Sequence, residues 1–177
     1  MFSQISYTMN QLTNLPELQT ILTFLEQIGI KVIPTQLPDT TFLPGLDLIS
    51  DAICIDCDKL LYPGDILHEA GHIAVTAALE RPLIGTSAMP ENWPTQGDEM
   101  AAILWSYAAA IHLNIPPELV FHPDGYKKDS EWLIENFGKE VYIGLPLLEW
   151  FGMAYGKERA AKEGVAAFPV MQFWLRE

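Results

Sequence analysis

Basic side chains are scarce in this chain. Its 177 residues include 10 Lys and Arg against 23 Asp and Glu, so the formal net charge is −13 at pH 7. Nucleic acids and anionic membrane surfaces are bound through clustered cations, which this composition does not supply. We therefore expect no nucleic acid and no membrane among the partners of this protein.

Long apolar runs and cysteines are scarce as well. A membrane-spanning helix needs about 18 or more consecutive apolar residues, and the sequence contains no such run. The first ten residues, MFSQISYTMN, lack the basic stretch and the apolar core of a secretory signal peptide. Two cysteines, Cys54 and Cys57, are too few for a disulfide framework. These absences favour a cytoplasmic location.

The residues that are present indicate a globular domain. Hydrophobic residues make up 49% of the chain and charged residues 19%, a balance that is not typical of disordered proteins. A chain of this length can bury one core, so we expect residues 1–177 to form a single domain. Its core should lie at about residues 50–115, followed by a helical part at about residues 116–177.

Local signals predict a helix and several extended segments in the first third of the chain. Asn14 and Pro16 are typical of a helix start, and Gly29 is typical of a helix end. The segments whose residues favour strands or short extended pieces are 30–33, 41–43 and 52–57.

Capping residues predict four further helices. Asp65 can cap the first of them, and Pro82 would terminate it. Thr95 and Asp98 resemble a capping box at the start of the second, and Gly164 is a stop signal for the last. The predicted helices are 66–80, 96–113, 130–137 and 146–163, and residues 165–177 are predicted to pack as a closing strand or arm.

The stretch LHEAGHIAV, from Leu67 to Val75, places three titratable groups in an otherwise apolar run. His68 and His72 are four residues apart, so on a helix they project side by side and can bind one metal ion. Zinc accepts neutral imidazole nitrogens in the geometry that this spacing supplies. Glu69 lies beside His68, where its carboxylate can act as a general base in this His-Glu-x-x-His pattern.

The rest of the motif helix is apolar on nearly every side, which is typical of a buried helix. Burying even a neutral polar group without a partner costs roughly 2–7 kcal/mol, and Glu69 would carry such a cost without a function. A metal or catalytic role removes this difficulty. The competing interpretation is a chance match to a short motif, which the cap before the helix and the proline after it make less favourable.

A catalytic zinc ion usually has three protein ligands, so one more ligand is expected outside the motif. Glu99 is the best candidate, because Asp98 already serves the capping box and leaves the neighbouring carboxylate without a function. His112 and His122 are rival ligands. His112 lies about 20 Å further along the helix at 1.5 Å per residue, so Glu99 and His112 cannot bind the same ion on a straight helix.

With Glu99 on the following helix, His68-Glu69-Ala70-Gly71-His72 resembles the gluzincin branch of HExxH zinc metallopeptidases, and the small size is similar to that of minimal bacterial gluzincins. The resemblance covers about residues 53–113. It implies a zincin-like α+β fold, in which a sheet of about three strands packs on the motif helix and on the Glu-bearing helix. It also implies Zn²⁺ bound by His68, His72 and Glu99, with Glu69 as the general base and a peptide or protein as the substrate. The strand at 52–57 would be the edge strand along which the substrate aligns.

The resemblance also directs attention to supporting groups. Zinc peptidases usually have a His or Tyr donor for the oxyanion of the tetrahedral intermediate, and His122 and Tyr126 are candidates for that role. Histidine ligands normally need a hydrogen-bond acceptor behind them. Asp98 and Ser106 are candidates for this second role.

Two other functions fit the same residues. One is a catalytically silent regulatory or interaction domain that binds a metal ion without turnover. The other is a structural Cys2His2 zinc site formed by Cys54, Cys57, His68 and His72. That site would leave Glu69 without a function, and its ten-residue spacing is shorter than the typical twelve or so. The open peptidase site is therefore the favoured interpretation.

Overall fold

The computed structural model describes residues 16–126 and 129–177, which form an α+β fold with one mixed three-stranded sheet and seven helices. The helices are α1 (Pro16–Ile28), α2 (Asp65–Val75), α3 (Gln96–His112), α4 (Pro117–Val120), α5 (Ser130–Gly138), α6 (Leu145–Trp150) and α7 (Lys157–Glu163). The strands are β1 (Lys31–Pro34), β2 (Leu46–Ile49) and β3 (Ala52–Ile55), and a 3-10 turn spans Arg81–Leu83. Among these helices, none is both long enough and apolar enough to cross a bilayer.

The sheet has the strand order β1-β3-β2. β1 runs parallel to β3, with Val32 opposite Ile53, and β2 runs antiparallel to β3, with Leu48 opposite Ile53. All four residues of β3 are buried, which explains a continuous apolar run without alternation. The prediction of β3 as the edge strand was wrong, because the unpredicted β2 pairs with it and takes the edge position.

The motif helix α2 lies at the centre of the fold, between β3 and α3. Its apolar side chains, such as Ile66, Leu67 and Ile73, are at most 1% exposed. Each contributes roughly 1.5–3 kcal/mol by leaving water. The prediction of a buried helix is confirmed. Gly71 permits the close contact with α3, since a Cβ atom there would lie 2.7 Å from the Ala102 carbonyl oxygen.

Several predicted boundaries are confirmed to within a residue or so. α1 ends just before Gly29, whereas the predicted cap Asn14 lies outside the described residues. α3 begins with the predicted capping box, in which the hydroxyl of Thr95 accepts from the Asp98 N–H and the carboxylate of Asp98 accepts from the Thr95 N–H. α5 and the stop of α7 at Gly164 also agree with the predictions.

Two predicted helices differ from the structure, and the predicted C-terminal arm is present. The helix expected over 66–80 ends at Val75, because the backbone of Thr76 is extended with ψ 135°. The helix expected over 146–163 is two shorter helices, α6 and α7, separated by a turn in which Gly152 has a φ of +73°. Residues 165–177, the C-terminal arm, form neither helix nor strand and pack irregularly against the core.

Candidate metal centre

Three predicted ligands lie together where α2 and α3 meet. The Nε2 atoms of His68 and His72 are 3.1 Å apart. The carboxylate of Glu99 lies 3.5 Å from Nε2 of His68 and 3.1 Å from Nε2 of His72. The helical spacing aligns the two imidazoles, and the close packing of α2 on α3 at Gly71 brings the glutamate to them.

The spacing of these atoms fits one small metal ion. Tetrahedral ligands at 2.0–2.1 Å from zinc are separated from one another by about 3.3 Å, and the two imidazole nitrogens are 3.1 Å apart. One carboxylate oxygen of Glu99 lies 3.5 Å from His68 and the other lies 3.1 Å from His72, and one ligand atom from each residue falls within 4.8 Å of the others. Two imidazoles and one carboxylate are also a donor set that a catalytic zinc ion takes. The residues present therefore fit the ion that the sequence predicts, although the same geometry is not specific to zinc.

Glu69 lies in the wall of the cavity that contains the three ligand residues. Burial raises the pKa of Glu69 from 4.5 to about 7, and the nearby carboxylates of Asp65, Glu99 and Asp47 add to the rise. A carboxyl group with a pKa near neutrality can both accept and return a proton, which suits a general base.

The same burial acts on the neighbouring histidine in the opposite direction. Burial lowers the pKa of His68 from 6.5 to about 4, and the proximity of His72 lowers it further, whereas Glu99 opposes the change. His68 is therefore neutral at physiological pH, which is the form in which imidazole binds a metal ion.

The rival ligands do not join this group. Cys54 is buried on β3, and Cys57 follows in the turn after the strand; neither belongs to the set of ligand atoms. His112 packs against Phe24 and Trp174 instead.

Two cavities open at the ligand cluster. The first, of about 600 Å³, is lined by β2 and by Trp93, and it contains Glu69 and His72. The second, of about 660 Å³, is lined by Tyr62 and His122. Both cavities are lined by His68 and Glu99, and also by Phe42 and Leu43, so they adjoin at the cluster.

His122 is held by a residue that the sequence predicted for another role. Its Nε2 atom lies 2.8 Å from Oδ1 of Asp65, and both side chains are buried. Asp65 makes no side-chain capping bond at the start of α2, where Gly64 is the N-cap, so the prediction of Asp65 as a cap was wrong. Asp65 lies one turn before His68 on α2, and from there its carboxylate supports the imidazole of His122.

The two predicted oxyanion donors lie near the cluster, but their polar atoms are buried. Nδ1 of His122 and the hydroxyl of Tyr126 have almost no contact with solvent, and Nε2 of His122 is paired with Asp65. Burial raises the pKa of Tyr126 well above 10, and the carboxylates of Asp65 and Glu99 contribute to the rise. The donor role of both residues stays a prediction.

The two candidates for supporting the histidine ligands, Asp98 and Ser106, have other hydrogen-bond partners. Asp98 is occupied in the capping box, and the hydroxyl of Ser106 donates to the Ile103 carbonyl at 2.8 Å. Within the part of the chain that the structure describes, Nδ1 of His68 and Nδ1 of His72 are buried and have no hydrogen-bond partner.

Sequence reasoning missed several residues of the two cavities. Tyr62 stacks on His122 with ring centroids 3.7 Å apart, and its hydroxyl is hydrogen-bonded to Asp124. The rings of Trp93 and His72 meet edge to face, with their centroids 5.9 Å apart. The aromatic Tyr62 directly before the Pro-Gly-Asp turn was the only local signal for either contact, because both partners are remote in sequence.

Comparisons with protein-family models, with curated proteins and with solved structures give no match to this chain.

Proposed function

We propose that this protein is a zinc-dependent peptidase of the gluzincin type. The observation that carries the proposal is the cluster of His68, His72 and Glu99, whose ligand atoms, one from each residue, all lie within 4.8 Å of one another, with Glu69 in the wall of the same cavity. This combination provides a candidate metal site and a candidate base on adjacent residues of one buried helix.

His68, His72 and Glu99 would hold the ion, which when bound supplies Lewis acidity toward a carbonyl and toward water. Glu69 then takes a proton from the attacking water and passes it to the leaving amine. Its place in the wall of the cavity that contains the three ligand residues puts the carboxylate beside the water and the leaving amine.

The strand β2 supports a peptide as the substrate. The N–H of Asp56 donates to the carbonyl of Gly45 at 2.8 Å, so by alternation the backbone groups of Leu46 and Leu48 face away from β3. The N–H of Leu46 donates to the Leu43 carbonyl at 3.2 Å, and the N–H of Leu48 donates to the exposed carboxylate of Asp47 at 2.9 Å. An extended peptide that displaces these two acceptors can add to the edge of the sheet beside Glu69.

One observation favours the alternative of a silent metal-binding domain. Neither imidazole ligand has a partner for its Nδ1 atom among the described residues, and the predicted donors His122 and Tyr126 bury their polar atoms. A site that binds a metal ion without stabilising a transition state would have these properties.

Zinc content tests the metal site. The purified protein should bind about one zinc ion per chain, and the double substitution His68→Ala, His72→Ala should abolish binding. His112→Ala is the matched control, because this histidine lies outside the cluster. Unchanged zinc content in the double variant would overturn the proposal.

The substitution Glu69→Gln separates the peptidase from the silent domain. Wild-type protein and variant are incubated with a diverse peptide library, with and without chelator. Glu69→Gln should retain zinc and lose roughly 10²-fold or more of the hydrolysis, because it keeps the shape and removes the base. Glu80→Gln, an exposed glutamate after α2, is the control. Equal cleavage by wild type and Glu69→Gln would eliminate the proposed base, and a zinc-loaded wild type that cleaves nothing would favour the silent domain.

A further inference from the structure

The second cavity has apolar walls that the hydrolysis itself does not require. It is lined in part by Phe42 and Leu61, whose side chains are 96% and 64% exposed; Leu61 lines this cavity and not the first, whereas Phe42 lines both. Single exposed apolar residues are ordinary, but two of them at one cavity beside a candidate metal centre indicate a binding surface. Closure of this cavity around an apolar group would remove both side chains from water.

The part of the second cavity that Tyr62 and His122 line is held in place by contacts within the protein. The ring of Tyr62 lies flat on His122, with 13° between the two planes, and the Tyr62 hydroxyl is hydrogen-bonded to Asp124. His122 is in turn bonded to Asp65 at 2.8 Å. A wall held at several points loses little conformational entropy on binding, so it favours selectivity.

The carboxylates of the second cavity already have partners. Asp65 pairs with His122, Asp124 with Tyr62, and Glu99 with His68 and His72. A cationic side chain entering this cavity would compete with these bonds, and an acidic one would face three carboxylates. An apolar side chain meets neither obstacle.

We propose that the second cavity binds a large apolar side chain, such as leucine or phenylalanine, of a peptide, and that Phe42 and Leu61 determine this preference. The proposal rests on the proposed function for its substrate class. It goes further, because it assigns the specificity of the site to residues outside the metal cluster.

Peptide binding to the Glu69→Gln variant tests the proposal without turnover. The probes are blocked pentapeptides that carry Leu, Phe, Ala, Lys or Glu at the centre of a glycine sequence, titrated with zinc and again with chelator. We expect the Leu and Phe peptides to bind about tenfold or more tightly than the Ala peptide, and the Lys and Glu peptides to bind no better than Ala. Calorimetry or NMR titration gives the dissociation constants.

Exposed apolar residues provide matched variants, each combined with Glu69→Gln. Leu61→Ser and Phe42→Ser should each reduce the preference for Leu and Phe by about fivefold or more. Leu79→Ser should leave it unchanged, because Leu79 is 92% exposed and lines neither cavity. All three positions are exposed, so the variants should fold alike, and circular dichroism checks this.

The outcomes distinguish this proposal from the proposed function. A Leu and Phe preference that Leu61→Ser removes supports the proposal, even if no zinc binds and the peptidase function fails. A preference for Lys, equal binding of all five peptides, or a preference that Leu61→Ser leaves intact overturns it, even if the protein cleaves peptides in a zinc-dependent manner. Absence of binding by every peptide overturns it as well.

Discussion

The carboxyl group of Glu69 and the imidazole of His68 show opposite consequences of the same burial. Burial disfavours the charged form of either group, so the pKa of Glu69 rises to about 7 while that of His68 falls to about 4. Between these two values both groups are neutral in the metal-free protein. Metal binding at physiological pH therefore needs no proton to leave His68.

Removal of the Glu69 charge should stabilise the metal-free protein in a pH-dependent manner. The pKa of Glu69 is raised above its value of 4.5 in an unfolded chain, so the folded state holds a proton that the unfolded state loses. The contribution of this group to stability is fully present below pH 4.5 and is lost as the pH rises through about 7. Glu69→Gln should thus raise the free energy of unfolding by about 3 kcal/mol at pH 8 and change it little at pH 4.

Urea unfolding with a chelator at the two pH values measures this difference. His68 has the opposite dependence, because its lowered pKa gives stability that is present above pH 6.5 and lost as the pH falls through about 4. Wild type and Glu69→Gln share this dependence on the pKa of His68, so it cancels when their free energies of unfolding are subtracted. An equal gain of stability at pH 4 and pH 8 would contradict the expected burial of a charged carboxylate.

The cysteines should be dispensable for metal binding. Neither Cys54 nor Cys57 belongs to the ligand cluster, so the double substitution Cys54→Ala, Cys57→Ala should keep about one zinc ion per chain. X-ray absorption should show only ligands near 2.0–2.2 Å, without the Zn–S distance of about 2.3 Å. Loss of zinc in this variant would favour the Cys2His2 alternative.

The roles of single residues could be predicted from the sequence where they depend on local spacing. His68, Glu69 and His72 project together because they lie on one helix, and Glu99 was identified because Asp98 already had a function. The pairing of Asp65 with His122 joins residues 57 positions apart, and no local pattern contains that information. The capping tendency of aspartate therefore gave the wrong role for Asp65.

At the scale of elements, the distance between α2 and α3 sets the geometry of the ligand cluster. His68 and His72 lie on α2, and Glu99 lies on α3. Gly71 stands between the two histidines, and a Cβ atom there would lie 2.7 Å from a backbone oxygen of α3. The absence of a side chain at this one position thus determines how closely the carboxylate approaches the imidazoles.

The substitution Gly71→Ala should destabilise the protein and weaken zinc binding. In an isolated helix this change would stabilise by about 0.5–1 kcal/mol, but here the added methyl group overlaps the backbone of Ala102. We expect a net loss of about 1–3 kcal/mol, typical of overpacking, and at least a tenfold weaker affinity for zinc. Gly138→Ala in α5 is the control, because no atom lies within 4 Å of its added Cβ. Equal stability changes in the two variants would contradict the close helix contact.

The predicted elements failed where tertiary contacts decided the structure or the strand signal was weak. Residues 76–80 have ordinary helix-forming side chains, yet α2 stops at Val75, whose carbonyl accepts a hydrogen bond from the side chain of Arg176, 101 residues later in the sequence. β2 was missed because its sequence, Leu-Asp-Leu-Ile, contains an aspartate and only one β-branched residue, whereas the neighbouring strands are richer in strand-forming residues. The break between α6 and α7 falls at Gly152, where a positive φ of 73° ends the helix.

At the scale of the whole molecule, the C-terminal arm connects several elements around the end of the motif helix. The backbone N–H of Arg176 donates to the carbonyl of Ala74 at 2.9 Å, and its guanidinium donates to the carbonyl of Val75 at 3.2 Å. Trp105 on α3 donates to the carbonyl of Trp174 at 3.0 Å. The arm therefore secures α2 and α3, the two helices that carry the ligands.

Loss of the Arg176 side chain should weaken this end of α2. The guanidinium bonds the Val75 carbonyl and lies 3.9 Å from the ring centroid of Phe151, so Arg176→Ala should lower the free energy of unfolding by about 1–3 kcal/mol. Arg159→Ala is the control, because this arginine also stacks on a ring, that of Tyr155, but is exposed. Urea unfolding of the two variants with zinc present compares them. An effect of Arg176→Ala no larger than that of Arg159→Ala would contradict the capping role.

The bond between Arg176 and the Val75 carbonyl also orders events during synthesis. The arginine is made 101 residues after the carbonyl that it caps, and at 5–20 residues per second this takes roughly 5–20 s. During that interval the motif helix exists as an 11-residue segment with open carbonyls, a length that is marginal in water on its own. The nascent chain thus carries both histidines for that interval before the bond to the Val75 carbonyl can form.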